Sequence, residues 1–160
     1  REWDIYAHAS AEVGVLFCTL VLITGPIWAR PVWNAWWVWD ARLTSTLVLW
    51  LIYVAYLMLR GQSEAGSTRA KYAAVIGIVG FLDIPLIHFS VLWWRTFHPL
   101  PKIVTTEGFG KGMDTSMLVT LMISVAAFTL LYFLLMSLRV RIERMKDDID
   151  RIKKEKLYSH

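Results

Sequence analysis

Four long stretches of the chain lack any alternation of polar and apolar positions and are almost free of charge. Ile5 to Trp28 carries only Glu12, Leu43 to Leu59 carries no charge, Tyr72 to Trp94 carries only Asp83, and Thr115 to Leu138 carries none. A helix needs about 20 mostly apolar residues to cross a hydrocarbon layer of roughly 30 Å, and each stretch comes close to or meets that length. Inside lipid the backbone must satisfy its own hydrogen bonds, so uninterrupted apolar runs imply helices. A barrel would show period-two alternation instead. The predicted fold is therefore all-α, a polytopic transmembrane helical bundle with spans at about 5–28, 43–59, 72–94 and 115–138. After residue 138 the pattern changes: Ile142, Met145, Ile149 and Ile152 recur at spacings of 3, 4 and 3 among charged residues. That segment, 139–160, reads as a charged helical tail with a narrow apolar seam, too short for a firm coiled coil. A solvated extension and a partner-docking helix both remain open for it.

Lys and Arg orient the spans. Arg60, Arg69 and Lys71 lie in one loop and eight more lie in the tail, against Arg30, Arg42, Arg95, Lys102 and Lys111 in the loops on the other side. The tail is expected on the cytoplasmic side, with loops 28–42 and 95–114 on the outer face. Residues 1–138 then form a transmembrane domain and 139–160 a cytoplasmic tail.

Composition agrees with a lipid-embedded chain. Of 160 residues, 56% are hydrophobic and 19% charged, against about 45–50% and about 25% in ordinary soluble domains. The net charge of +4 reflects topology, because no basic groove with interleaved aromatics supports nucleic-acid binding. One cysteine, Cys18, excludes a disulfide framework and any C-x-x-C-H site for covalent haem attachment. The segment Gly108 to Ser116 does not complete a phosphate-binding loop, because Gly112 follows Lys111. The chain begins at Arg1 with no signal-peptide pattern, which is expected of a fragment lacking its start.

The chemistry concentrates in the loop after the first span. Trp28, Trp33, Trp36, Trp37 and Trp39 fall within 12 residues and are followed by Asp40 and Arg42. A helix beginning near Pro31 would place Trp33, Trp36, Trp37 and Asp40 on one face, forming a flat aromatic platform at the membrane surface. An interfacial tryptophan belt explains one or two such residues. Five in one short loop suit a large planar apolar ligand better.

The string from Trp33 to Thr44, with Trp36, Trp37, Trp39, Asp40, Arg42 and Leu43, resembles the tryptophan-rich WWD signature of haem-handling proteins of cytochrome c biogenesis. The Asp-x-Arg-Leu-Thr ending and the later segment Pro85 to His98 resemble the haem exporter protein C family of the system I maturation pathway. The resemblance covers nearly the whole chain. It implies non-covalent, transient binding of haem b on the outer face, delivery to a membrane-tethered haem chaperone, and no enzymatic step. It also implies an ABC-type ATPase, membrane subunits of the maturation complex and a small single-span subunit as partners in a bacterial inner membrane. Six spans are expected in the complete protein, with one axial histidine upstream of Arg1, so that this chain alone should hold haem weakly or not at all.

Site residues follow partly from that motif. His88 is expected to be an axial iron ligand, its alternative being a structural intramembrane histidine. Trp28, Trp33, Trp36, Trp37, Trp39, Trp93 and Trp94 are expected to line the haem. His98 has a part in haem or chaperone contact as one reading and an exposed loop position as the other. Arg42 and Arg95, with Arg30 next, are candidates for the haem propionates, although arginine at a span end also serves as an interface anchor. Asp40 is expected to orient an arginine or a loop amide, Asp83 to be a packed polar residue near Pro85, and Glu12 to snorkel. Two rivals stand beside the haem-delivery reading. One is a haem lyase or cytochrome c synthase, which would need a larger outer domain; the other is a docking subunit that binds no haem.

Overall fold

The structure is a computed structural model that describes residues 2–61, 67–94, 98, 104–105 and 108–158. Its elements are α1 (Glu2–Trp33), α2 (Ala41–Gly61), α3 (Ser67–Trp93), β1 (Val104–Thr105), β2 (Gly108–Phe109) and α4 (Thr115–Tyr158). All four helices are long and apolar enough to cross a membrane, so the all-α polytopic class holds. Many of their large apolar side chains are solvent-accessible in the isolated chain. In a bilayer such faces meet lipid tails, which are as apolar as leucine.

Contacts divide the chain into two compact units, Arg1–Val13 with Ile103–His160, and Gly14–Lys102. In the first, Ile5, Ala9 and Val140 form a small core against which Met136 packs. The guanidinium of Arg139 donates through Nε and Nη2 to the two carboxylate oxygens of Glu12, and His8 Nε2 lies 3.6 Å from the same carboxylate. Glu12 is thus held by a bidentate partner within the unit rather than snorkelling. A carboxylate in hydrocarbon is costly unless paired, and Arg139 is positioned to pair with it. The two strands form a short antiparallel ladder, Val104 opposite Phe109 and Thr105 opposite Gly108. It lies within the segment expected as a plain loop.

In the second unit α2 and α3 pack closely. The backbone of α3 at Gly80 comes so near that a Cβ there would lie 2.7 Å from Tyr53 and 3.2 Å from Ile52. Trp50 Nε1 donates to Thr19 Oγ1 at 2.8 Å and ties α2 to α1. The Ser90 side chain is fully buried and returns its hydroxyl to the Ile87 carbonyl at 2.7 Å.

Three boundaries differ from expectation. First, α1 runs through Pro26 and Pro31 to Trp33. Each proline removes one intrahelical bond, and every bond that remains is worth keeping where water is scarce. Second, no helix forms over 34–40: Asn34 adopts φ 55°, a left-handed conformation that ends α1. Arg30 fastens the turn by donating to the Asn34 carbonyl and its Oδ1. Third, α4 is one uninterrupted helix of 44 residues, with no break where the apolar run meets the charged tail.

Candidate functional site

The tryptophan loop is fixed at both ends by helix caps. At its start stands the Arg30–Asn34 closure; at its end Asp40 Oδ1 accepts the Leu43 amide at 2.8 Å, and its carbonyl accepts the Thr44 amide at 3.0 Å. Asp40 is therefore the N-cap of α2, a role for which aspartate is well suited. Between the caps the chain is extended or bent, so the single helical face expected for Trp33, Trp36, Trp37 and Asp40 is absent.

The aromatic residues group differently from that expectation. Trp33, on the last residue of α1, meets Trp28 edge to face at 5.3 Å between centroids. Trp33 also meets the His98 ring at 5.0 Å and 78°. Trp37 and Trp39 form a second pair at 5.6 Å. Trp36 and Trp39 are 60% and 76% exposed, so their rings are presented outward. By contrast Trp37 Nε1 is buried without a hydrogen-bond partner among the described residues.

His98 is the residue the structure joins most firmly to this loop. Its Nδ1 lies 2.7 Å from Asp40 Oδ2, with both side chains largely shielded from solvent. A carboxylate can only accept, so Nδ1 carries the proton in this contact. Asp40 thus uses one oxygen to cap a helix and the other to orient a histidine from 58 residues away. Against the expected arginine or loop amide, its described side-chain partners are a first-turn amide of α2, Leu43, and the His98 ring.

His88 lies elsewhere along α3. It is exposed and meets the Phe89 ring at 5.2 Å and 85°. Phe89 stacks on Trp93 at 5.4 Å and 22°, and Trp93 meets Trp94 at 6.0 Å. These rings form a ladder at the end of α3. Phe89 was absent from the expected site residues, although its spacing of i,i+4 to Trp93 is a legible helical pairing.

The cations divide likewise. Arg30 is committed to closing α1, while Arg42 is half-buried with no side-chain partner among the described residues. Arg95 lies outside the described residues. Asp83 is 9% exposed and its Oδ2 has no hydrogen-bond partner among the described residues. Within the second unit, then, an indole-lined loop, a carboxylate-anchored histidine and an uncommitted guanidinium lie close together in sequence or contact. Such an assembly can accept a flat apolar molecule, offer nitrogen to a metal and receive an anionic substituent.

The family model described as "Heme exporter protein C" matches residues 1–155. The chain is 41% identical to heme exporter protein C of Bradyrhizobium diazoefficiens over 143 residues, covering 89% of this chain and 54% of that protein. It is 40% identical to heme exporter protein C of Haemophilus influenzae over 154 residues, covering 93% of this chain and 62% of that protein. A ccmC-like mitochondrial protein of cytochrome c biosynthesis from Marchantia polymorpha is 36% identical over 126 residues, covering 79% and 51%. The chain spans about half the length of the curated relatives it matches.

Proposed function

The chain belongs to the heme exporter protein C family, and on that premise we propose that it holds haem b as a transient, non-covalent cargo on its tryptophan loop and releases it to a haem chaperone. The observation that carries this reading is the Asp40–His98 contact beside Trp33. Carboxylate-to-imidazole hydrogen bonds orient metal-ligating histidines. His98 Nε2 is the iron ligand this geometry favours. His88 stands as the second candidate, supported by its motif and by the Phe89–Trp93 ladder. Trp28, Trp33, Trp36, Trp37 and Trp39 supply apolar contact, together with Trp93 and Trp94, and Arg42 serves the propionates with Arg95 beside it.

On this reading the protein positions iron and porphyrin without changing a covalent bond, and is not an enzyme. Hand-off requires that capture be reversible, so ligation through one oriented imidazole and stacked indoles suits a carrier. The loop faces the periplasm of a bacterial inner membrane and the tail faces the cytoplasm, following the Lys and Arg distribution. The ATPase, membrane subunits and small single-span subunit of a maturation complex are proposed partners.

The test is a haemin titration of the complete protein, this chain together with the upstream residues expected to carry the other axial histidine, read by its visible spectrum and by quenching of tryptophan fluorescence. His98→Ala is expected to shift the Soret band and weaken binding, with added imidazole restoring the spectrum, while His88→Ala changes little. The opposite pattern returns the ligand role to His88. Unaltered fluorescence and no Soret band in the unmodified protein would sink the haem reading and leave the loop as a docking surface.

A further inference from the structure

The first unit contains a groove of about 450 Å3. Its floor is Tyr132, Phe133, Met136 and Val140 of α4, and Tyr6 of α1 closes one side. At its upper rim stand Arg141 and Arg144. Arg144 Nη2 donates to Glu2 at 2.6 Å and reaches the Tyr6 hydroxyl at 3.4 Å, and its guanidinium carbon lies 5.9 Å from the Tyr6 ring centroid. Arg139, five residues before Arg144, is neutralised by Glu12. Arg141 is exposed and has no carboxylate partner among the described residues. With Glu2 set against Arg144, the rim keeps one uncompensated positive charge.

Position along the helix adds a second constraint. The uncharged run ends at Leu138, so Arg141 and Arg144 lie about 4.5 and 9 Å further along the axis at 1.5 Å per residue. The polar layer on each side of a bilayer is roughly 5–8 Å deep, so an apolar floor in the hydrocarbon continues into Arg141 at headgroup depth, with Arg144 at the outer edge of that layer. Groove volume falls in the range of small-molecule sites, about 300–1,000 Å3.

We propose that this groove binds an anionic phospholipid, with an acyl chain along Phe133, Met136 and Val140 and the phosphodiester on Arg141 and Arg144. Aromatic and thioether side chains give the acyl chain a contact surface without polar demands. Tyr6 holds Arg144 in place, so the rim is partly preorganised before a headgroup arrives. Net positive charge selects anionic over zwitterionic lipid. The site is independent of the tryptophan loop and of the reading given to it.

The whole chain in detergent, mixed with equal phosphatidylglycerol and phosphatidylcholine, tests this by native mass spectrometry. The unmodified protein is expected to retain phosphatidylglycerol about fivefold over phosphatidylcholine. Arg141→Gln should bring that ratio close to one, and Arg141→Lys should keep most of it. Met136→Trp, which fills the floor without altering charge, should lower retention of both lipids. Helicity by circular dichroism is expected to match in all four proteins. Equal retention of the two lipids by the unmodified protein, or an unchanged ratio in Arg141→Gln, overturns the proposal. So does loss of the bound lipid to excess inorganic phosphate, which would make a free anion the occupant.

Discussion

Asp40 carries two loads through two oxygens, and substitution can separate them. Asparagine caps helices about as well as aspartate, whereas alanine costs about 1 kcal/mol at an N-cap. Asp40→Asn is therefore expected to leave thermal unfolding of the detergent-solubilised chain nearly unchanged while altering the haemin spectrum through His98. Asp40→Ala should lower stability as well, by about 1–2 kcal/mol including the lost bond to the imidazole. If Asp40→Asn leaves the spectrum untouched, the carboxylate does not orient the ligand. Asn34 offers a second test: at φ 55° a glycine is free of strain, whereas valine costs about 1–2 kcal/mol. Asn34→Gly, which loses only the exposed bond from Arg30 to Oδ1, should melt close to the parent chain, and Asn34→Val should melt lower. The capping role of Asp40 was legible, because an aspartate just before the uncharged run is a helix-start signal. Its bond to His98 was not, since nothing local links residues 58 positions apart.

For elements, chain pattern located all four helices but misjudged where they stop. Periodicity alone suggested a helix over the tryptophan loop, because Trp33, Trp36, Trp37 and Asp40 happen to match helical spacing. Two cap residues, Asn34 and Asp40, outweigh that match by ending one helix and starting the next. Conversely proline usually interrupts a helix, yet α1 continues through Pro26 and Pro31 because apolar surroundings favour the intrahelical bonds that remain. Close approach between elements is invisible to such patterns. Gly80 lets α3 lie against Tyr53 and Ile52, and Gly80→Leu is expected to destabilise the α2–α3 pair by about 1–3 kcal/mol through overpacking. A chemical or thermal melt of the variant checks this; an unchanged midpoint would mean the helices separate at no cost.

Across the whole molecule, the ion pair between Glu12 and Arg139 closes contacts over 127 residues and belongs to no sequence motif. Only the two charges were readable, one stranded in a span and one just past another. Glu12→Gln removes the negative charge and one of the two acceptor oxygens facing Arg139 and should cost about 1–3 kcal/mol, less than a fully buried pair because both groups keep some exposure. Exchanging the two residues, Glu12→Arg with Arg139→Glu, should recover much of that loss in a denaturant series, and failure to recover it would show that packing rather than charge dominates. A last consequence concerns α4. Forty-four residues make a rod of about 66 Å, and about half of it extends past a hydrocarbon layer of roughly 30 Å. With no joint at the membrane boundary, the rod has a fixed rotational phase: the seam of Ile142, Met145, Ile149 and Ile152 points in a direction set by the side chains of the span beneath it. Inserting one alanine after Leu138 would turn that seam by about 100° and raise it by about 1.5 Å, whereas seven would nearly restore its bearing about 10 Å higher. Bearing and height can thus be varied almost separately, so whatever meets the seam can be asked which of the two it reads.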